Sequence, residues 1–182
     1  MTKHQYEQKY TAIRISAFRA VISQILHQPL ISPEIKDGLK FSLIQQDELL
    51  YYDRHWKDCP SRKANWDWRS LSEKNKKHPD RFEIAVWFGN TLCGLAIGTP
   101  SKSRSHLSLH YIEAYPVPQH PLRGWILPLV YDTATAYGLA LGCQQLHLIE
   151  PLPAMIPRYV ALGFRLETPK KGAHYCWKEL GI

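Results

Sequence analysis

His120–Gly142, HPLRGWILPLVYDTATAYGLALG, is the stretch on which the fold turns. Ile126, Leu129/Val130, Thr133, Tyr137 and Ala140/Leu141 recur at helical spacing. Pro128 falls in the first turn, where a missing N–H costs the helix nothing, and Gly142 supplies a C-terminal stop. Two β-rich runs flank this helix, HLSLHYIEAY (His106–Tyr115) before it and QQLHLIE (Gln144–Glu150) after it. A strand, a helix and a returning strand imply a parallel pair. The helix opens on Arg123-Gly124, as a phosphate-holding turn does. It then departs from that pattern, because Trp125, Ile126, Leu127 and Pro128 stand where more glycine would let the backbone approach an anion.

Working toward the N-terminus, RFEIAVWF (Arg81–Phe88), Gly89-Asn90 and TLCGLAIG (Thr91–Gly98) make a hairpin signal. With His106–Tyr115 they give an antiparallel meander. LKFSLIQQ (Leu39–Gln46) alternates and reads as a further strand. Asp47 is placed to cap a helix carrying Leu49, Leu50, Tyr52 and Trp56, ended by Pro60, and NWDWRSLSEKNKK (Asn65–Lys77) reads as another. Ile13, Ala17, Val21 and Ile25 recur every four positions and predict a helix over Tyr10–His27, with Arg14 and Arg19 off its apolar face. Pro29 stops it, and Ser32-Pro33-Glu34 opens a short turn. Toward the C-terminus, Pro153–Leu162 reads as a short helix. FRLET (Phe164–Thr168) and HYCWKEL (His174–Leu180) read as a final hairpin. The expected fold class is α/β (α+β): a mixed, mostly antiparallel sheet flanked by helices. A helical extension over 1–37 precedes a main domain over 38–182. The extension's apolar face must be buried, in the domain or in a homodimer.

The chain has 182 residues, 45% of them hydrophobic, which suits one domain with an ordinary core. The formal net charge is +7. Nine Lys/Arg against four Asp/Glu lie between Arg54 and Arg81, so much of the excess sits there. A basic patch favours anionic partners such as nucleic acid, acidic protein or a phosphorylated cofactor. No arginine-rich repeat, zinc finger or ribonucleoprotein-type motif accompanies it. Cys59, Cys93, Cys143 and Cys176 form no C-x-x-C pair and read as small apolar groups in a reducing compartment. The first residues carry no apolar signal core and no run approaches a membrane span, so the expectation is a cytoplasmic protein without a membrane partner. His55 and Cys59 share a helix face, yet no second pair at ligand spacing supports a metal. Gly-x-Ser-x-Gly and Gly-Lys-Ser/Thr are both missing, which argues against a serine hydrolase and a P-loop enzyme.

The order of elements from Gly38 onward resembles the GNAT superfamily of acetyl-coenzyme A-dependent acyltransferases. RYVALGF (Arg158–Phe164) is similar to the family's Tyr-x-x-x-Gly-Phe segment. The strand–loop–helix from Tyr111 to Gly142 stands in the place of its cofactor motif. There the family reads Arg/Gln-x-x-Gly-x-Gly/Ala, and main-chain N–H groups at a helix N-terminus grip the coenzyme A pyrophosphate. Here Arg123 and Gly124 match, while Ile126 and Pro128 replace the next two small residues. The resemblance implies acetyl-CoA, or another acyl-CoA, as co-substrate with no metal. It places cofactor contacts at Ala114, Tyr115, Val117, Arg123, Gly124, Trp125 and Ile126.

Acyl transfer to an amine needs a base, hydrogen-bond donors for the thioester oxygen, and an acid for the leaving thiolate. Glu113, flanked by Ile112 and Ala114 in an apolar run, is the candidate base, and the family's carboxylate on the equivalent strand agrees. Its alternative is a carboxylate paired with a neighbouring Arg. Glu150, at the end of LHLI, is the second candidate. Tyr159 matches the family tyrosine that protonates the coenzyme A sulfur, although PLPAMIP lacks the asparagine that often precedes it. Tyr51, Tyr52, Trp56, Trp66 and Trp68 lie in the basic segment and are the expected acceptor contacts. They suit a small-molecule amine or an aminoacyl or RNA-linked acceptor. The rival reading is a non-catalytic module of this fold that binds nucleic acid or protein through a basic aromatic face.

Overall fold

A computed structural model describes residues 2–181. The chain runs α1 (Lys3–His27), α2 (Pro33–Gly38), β1 (Leu39–Ser42), α3 (Gln46–His55), α4 (Trp68–Asn75), β2 (Phe82–Phe88), β3 (Thr91–Pro100), β4 (His106–Ala114), α5 (Ile126–Ala140), β5 (Gln145–Ile149), a 3-10 turn (Pro153–Met155), α6 (Ile156–Ala161), β6 (Arg165–Glu167) and β7 (Tyr175–Glu179). The seven strands form one sheet in the order β1-β2-β3-β4-β5-β7-β6. Only the β4–β5 pair is parallel, as the strand–helix–strand reading of residues 106–150 requires.

Each face of the sheet carries its own core. Phe82, Ile84 and Val86 of β2 pack with Ala17, Phe18, Val21 and Ile25 of α1 and with the apolar side of α5. Ala85, Leu92, Leu95 and Ile97 pack on the opposite face with Leu49, Tyr52, Trp56 and Trp68 of the α3–α4 region. Helix boundaries follow caps that differ from the expected ones. Thr2 and Gln5 form a capping box, so α1 begins seven residues before Tyr10. Gln45 and Glu48 make the box that opens α3, and Asp47 lies inside the first turn rather than capping it. Asp67, not Asn65, caps α4 by accepting from the Arg69 and Ser70 N–H groups. The β1 strand ends at Ser42, because Gln45 already starts the next cap. Among the described residues no helix is long and apolar enough to cross a membrane.

Arg14 was expected off the apolar face of α1, yet it is fully buried. Its guanidinium donates to the carbonyls of Pro79 and Arg81 at 2.9 Å each, and to Glu7 and Thr11 at 2.8 Å. Arg81 joins the same network, bonding Glu7 and Glu83. Two carboxylates and two guanidiniums thereby tie α1 to the start of β2. Burial pushes the Glu7 carboxyl up, but Arg81 and then Arg14 outweigh it and hold it below the ordinary carboxylate value. Its contribution is therefore complete above that ordinary value and is lost as pH falls through the lowered one. Arg14→Met leaves the Pro79 and Arg81 carbonyls without that donor and Glu7 with Arg81 as its one remaining guanidinium partner. It should lower stability by about 3 kcal/mol, a Tm fall of roughly 6 to 12 °C in a thermal melt.

Candidate active site

The β4 and β5 strands pair only from His106/Gln145 to Leu109/Leu148. Beyond that rung β4 continues to Ala114 with no partner on its β5 side. The separation coincides with a bulge in β4, where Tyr111 pairs with Ile97 and Leu109 with Gly98, leaving His110 as the extra residue. Gly98 is required at this point, since a Cβ there would lie 2.3 Å from the Ser108 carbonyl oxygen. The separated strands open a cavity of about 410 Å³. Its walls are the ends of β4 and β5, the start of α5, the turn before α6, Arg158 and Tyr159 of α6, and Ser61, Lys63, Ala64 and Trp66 of the α3–α4 loop.

The N-terminus of α5 faces this cavity. Gly124, at φ 83°, carries the chain into the helix with a left-handed turn. Gly124, Ile126 and Leu127 all line the cavity, and among the described residues their N–H groups have no main-chain acceptor. These are the unpaired donors that a helix N-terminus presents to an anion. Bulky side chains do not block them. Ile126 is buried against β3, where a Cβ on Gly94 would come within 2.7 Å of its Cγ2. Glycine at position 94 thus makes the room that isoleucine at 126 takes. Pro128, the third helical residue, does remove one donor.

Several expected cofactor contacts are elsewhere. Arg123 is exposed, does not line the cavity, and gives its N–H to the His120 carbonyl. The Trp125 N–H bonds the Leu122 carbonyl, and its ring packs on the core, leaving the crevice open. The Tyr115 N–H is taken by the Cys93 carbonyl, and its ring stacks on Trp56 at 5.7 Å. Val117 closes a turn onto the His120 N–H. Ala114 lines the cavity, and so does Pro116. The cation on this side is Arg158, which lines the cavity and hydrogen-bonds the Gly124 carbonyl at 3.3 Å. The sequence reading passed over Arg158 even though it opens the RYVALGF motif.

The acceptor residues need the same correction. Tyr52, Trp56 and Trp68 are 1%, 0% and 0% exposed and build the second core, so they offer no surface to a ligand. Tyr51 packs against Trp87 and Tyr115 away from the cavity. Trp66 alone of the five lines it. The rings that would stack on bases are therefore mostly interior. Several cations of the basic segment are also neutralised locally, Arg69 by Asp53 and Arg81 by Glu7 and Glu83.

Glu113 does not stand alone in an apolar run. It is buried, and Arg62 bonds both its oxygens at 2.6 and 2.9 Å, while the Trp68 indole donates to Oε2 at 2.6 Å. Arg62 also donates to the Trp66 carbonyl at 2.6 Å, and Ser61 Oγ donates to the Pro116 carbonyl at 2.9 Å. These bonds strap the α3–α4 loop onto the free end of β4. The Glu113 carboxylate raises the affinity of the Arg62 guanidinium for its proton. Tyr159 is 8% exposed and lines the cavity. Burial first, then neighbouring Cys176, pushes its phenol up, with Arg158 partly opposing. His110 also lines the cavity; burial, with nearby His78, pushes it down and favours the neutral ring, which hydrogen-bonds Thr99 at 2.9 Å. Among the described residues no group of three or more His, Cys, Asp or Glu is placed to hold a metal ion.

No protein-family model and no curated protein matches the chain. Solved structures match it by fold. Ard1 from Thermoplasma volcanium superposes with a TM-score of 0.59 at 10% identity, over 78% of this chain and 97% of that one. The ribosomal-protein-S18-alanine N-acetyltransferase of Escherichia coli gives 0.56 at 15% identity, over 79% and 95%. PaiA N-acetyltransferase from Thermoplasma acidophilum, solved in complex with coenzyme A, gives 0.54 at 11% identity, over 78% and 99%. The chain has a GNAT-like fold.

The strap is open to direct measurement. Glu113→Ala leaves Arg62 and the Trp68 indole buried without their acceptor, and should cost about 3 to 5 kcal/mol by denaturant melting. A loss below about 1 kcal/mol would mean that the pair does not anchor the loop.

Proposed function

We propose that the chain is an N-acyltransferase that moves an acetyl group from acetyl-CoA, or another acyl group from its CoA ester, directly to an amine. The observation that supports this most is the slot between β4 and β5, entered at one end by the free N–H groups of Gly124, Ile126 and Leu127. In this reading the three N–H groups and Arg158 hold the pyrophosphate, helped by the positive end of α5. The unpaired β4 edge from His110 to Ala114 supplies main-chain partners for the pantetheine arm and donors for the thioester oxygen as it gains charge. The acceptor nitrogen attacks the thioester carbon, the C–S bond breaks, the sulfur takes a proton from the Tyr159 hydroxyl, and the proton that the acylated nitrogen loses to solvent balances the one that solvent returns to the phenolate. Burial keeps that phenol protonated beyond the ordinary range of tyrosine, which suits an acid. Glu113 serves as a positioning residue: it fixes Arg62, and through it the loop carrying Lys63 and Trp66. The residues present fit a CoA ester, which would contribute the activated acyl group and a thiol leaving group.

Coenzyme A at a hundred times its dissociation constant should add roughly 2.7 kcal/mol, raising Tm by about 5 to 11 °C. An unchanged melt at millimolar coenzyme A would dispose of the proposal. Tyr159→Phe should lower acyl-transfer turnover by about 100-fold or more and leave the coenzyme A shift in place. The alkaline limb of the parent's pH–rate profile should lie above about 10, the ordinary tyrosine value. Equal turnover in mutant and parent would remove Tyr159 from the reaction.

A further inference from the structure

Two carboxylates line the cavity, Glu113 and Glu150, and they differ in kind. Glu113 is engaged by Arg62 and Trp68. Glu150 is exposed, and among the described residues its carboxylate makes no ion pair or hydrogen bond. Its backbone is unusual. The φ of Glu150 is 47°, in the left-handed region that glycine occupies without penalty and a glutamate does not. Pro151 follows and further disfavours any helical conformation at 150. The arrangement is held from the residue before β7: the Glu150 N–H bonds the His174 carbonyl at 3.0 Å, and the His174 ring meets the Pro151 carbonyl at 3.3 Å. A strained glutamate, clamped on both sides where the chain lines a cavity, is an outlier that points to a role for its side chain.

Resting on the acyltransferase reading, we propose that Glu150 binds the acceptor's ammonium group and takes its proton, and that the acceptor is a monoamine on an apolar body. The proton passes from nitrogen to carboxylate and on to solvent, and the neutral amine then attacks. Charge decides the class of acceptor. With Glu113 neutralised by Arg62, Glu150 is the one unpaired carboxylate among the described cavity residues, while Lys63 and Arg158 line the same space. A polyamine or a lysine-rich peptide would bring further cations for which the cavity offers no second unpaired carboxylate, with Lys63 as a like charge lining the same space. The chain neighbours of Glu150 that line the cavity, Ile149, Pro151 and Leu152, are apolar, and Trp66 lines the same cavity, which suits hydrocarbon or an aromatic ring.

The test is calorimetric titration of phenethylamine and of spermidine into the full chain, free and loaded with coenzyme A, at physiological salt. Phenethylamine should bind about tenfold or more tighter than spermidine. Glu150→Gln should weaken phenethylamine about tenfold or more and change coenzyme A affinity by less than about twofold. Glu150→Gly should lose phenethylamine equally while raising Tm by about 2 °C, because the left-handed backbone is then unstrained. Tighter spermidine, an unaffected Glu150→Gln variant, or no amine binding by a protein that binds coenzyme A would each overturn the proposal. Failure of the parent chain to bind coenzyme A would count against the acyltransferase reading, and the amine titration of the free chain would still decide the role of Glu150.

Discussion

Past the Leu109–Leu148 rung the sheet has no choice but to open, and the cavity is the consequence. The extra residue at His110 turns β4 away from β5, and the turn depends on a contact with the adjacent strand on its other side, β3. At Gly98 the Ser108 carbonyl comes so close that any side chain would force β3 and β4 apart. Parallel pairing before the bulge and separation after it are thus one geometric constraint. The β4–α5–β5 crossover then brings the α5 N-terminus to the mouth of the gap. A helix N-terminus beside an unpaired strand edge concentrates main-chain donors with no appeal to particular side chains.

The basic aromatic segment between α3 and α4 acts mainly inward. Its largest rings fill the space beneath the sheet, and Arg62 reaches the Glu113 carboxylate across 51 positions of sequence. A buried guanidinium–carboxylate pair with an indole donor is costly to form, but very costly to break on one side only. That asymmetry fixes the loop in one place. Lys63 and Trp66 consequently reach the cavity on a rigid strap. The α1 helix is fastened by the same chemistry at the other end of the sheet, through Arg14, Glu7, Arg81 and Glu83.

Elements whose register is set by local pattern were readable in the sequence: the Gly89-Asn90 hairpin, the three-strand meander, the α5 periodicity and the parallel β4–β5 return. Elements set by side-chain reach were not. Arg14 looks like a surface residue on a helical wheel because the wheel knows nothing of the carbonyls at Pro79 and Arg81. Tyr52, Trp56 and Trp68 look like a binding face because aromatic residues among cations are equally a core under a charged rim. Glu113 had an arginine partner in view as one alternative, but which arginine required the fold. Two further signals lie in the sequence: Arg158 opens the RYVALGF motif beside its tyrosine, and a glutamate before a proline at a strand end, Glu150-Pro151, marks a place where the chain must turn sharply.

The loop before α5 shows how main-chain N–H groups can stay open to a cavity without a run of small residues. Small residues matter there only where a Cβ would intrude. At Gly124 the backbone is left-handed and nothing lies within 4 Å of where a Cβ would be, which leaves open space beside an unpaired N–H. At Ile126 the side chain turns into the core, and the space it needs was vacated on β3 by Gly94. The glycine that makes this room stands on the strand beneath the loop and not in the loop itself. Across the cavity, Glu150 shares the left-handed geometry of Gly124 and reaches it by the opposite route. One position stays small so that the main chain can come close; the other keeps a charged side chain against the preference of its own backbone, and contacts from His174, just before β7, hold it there.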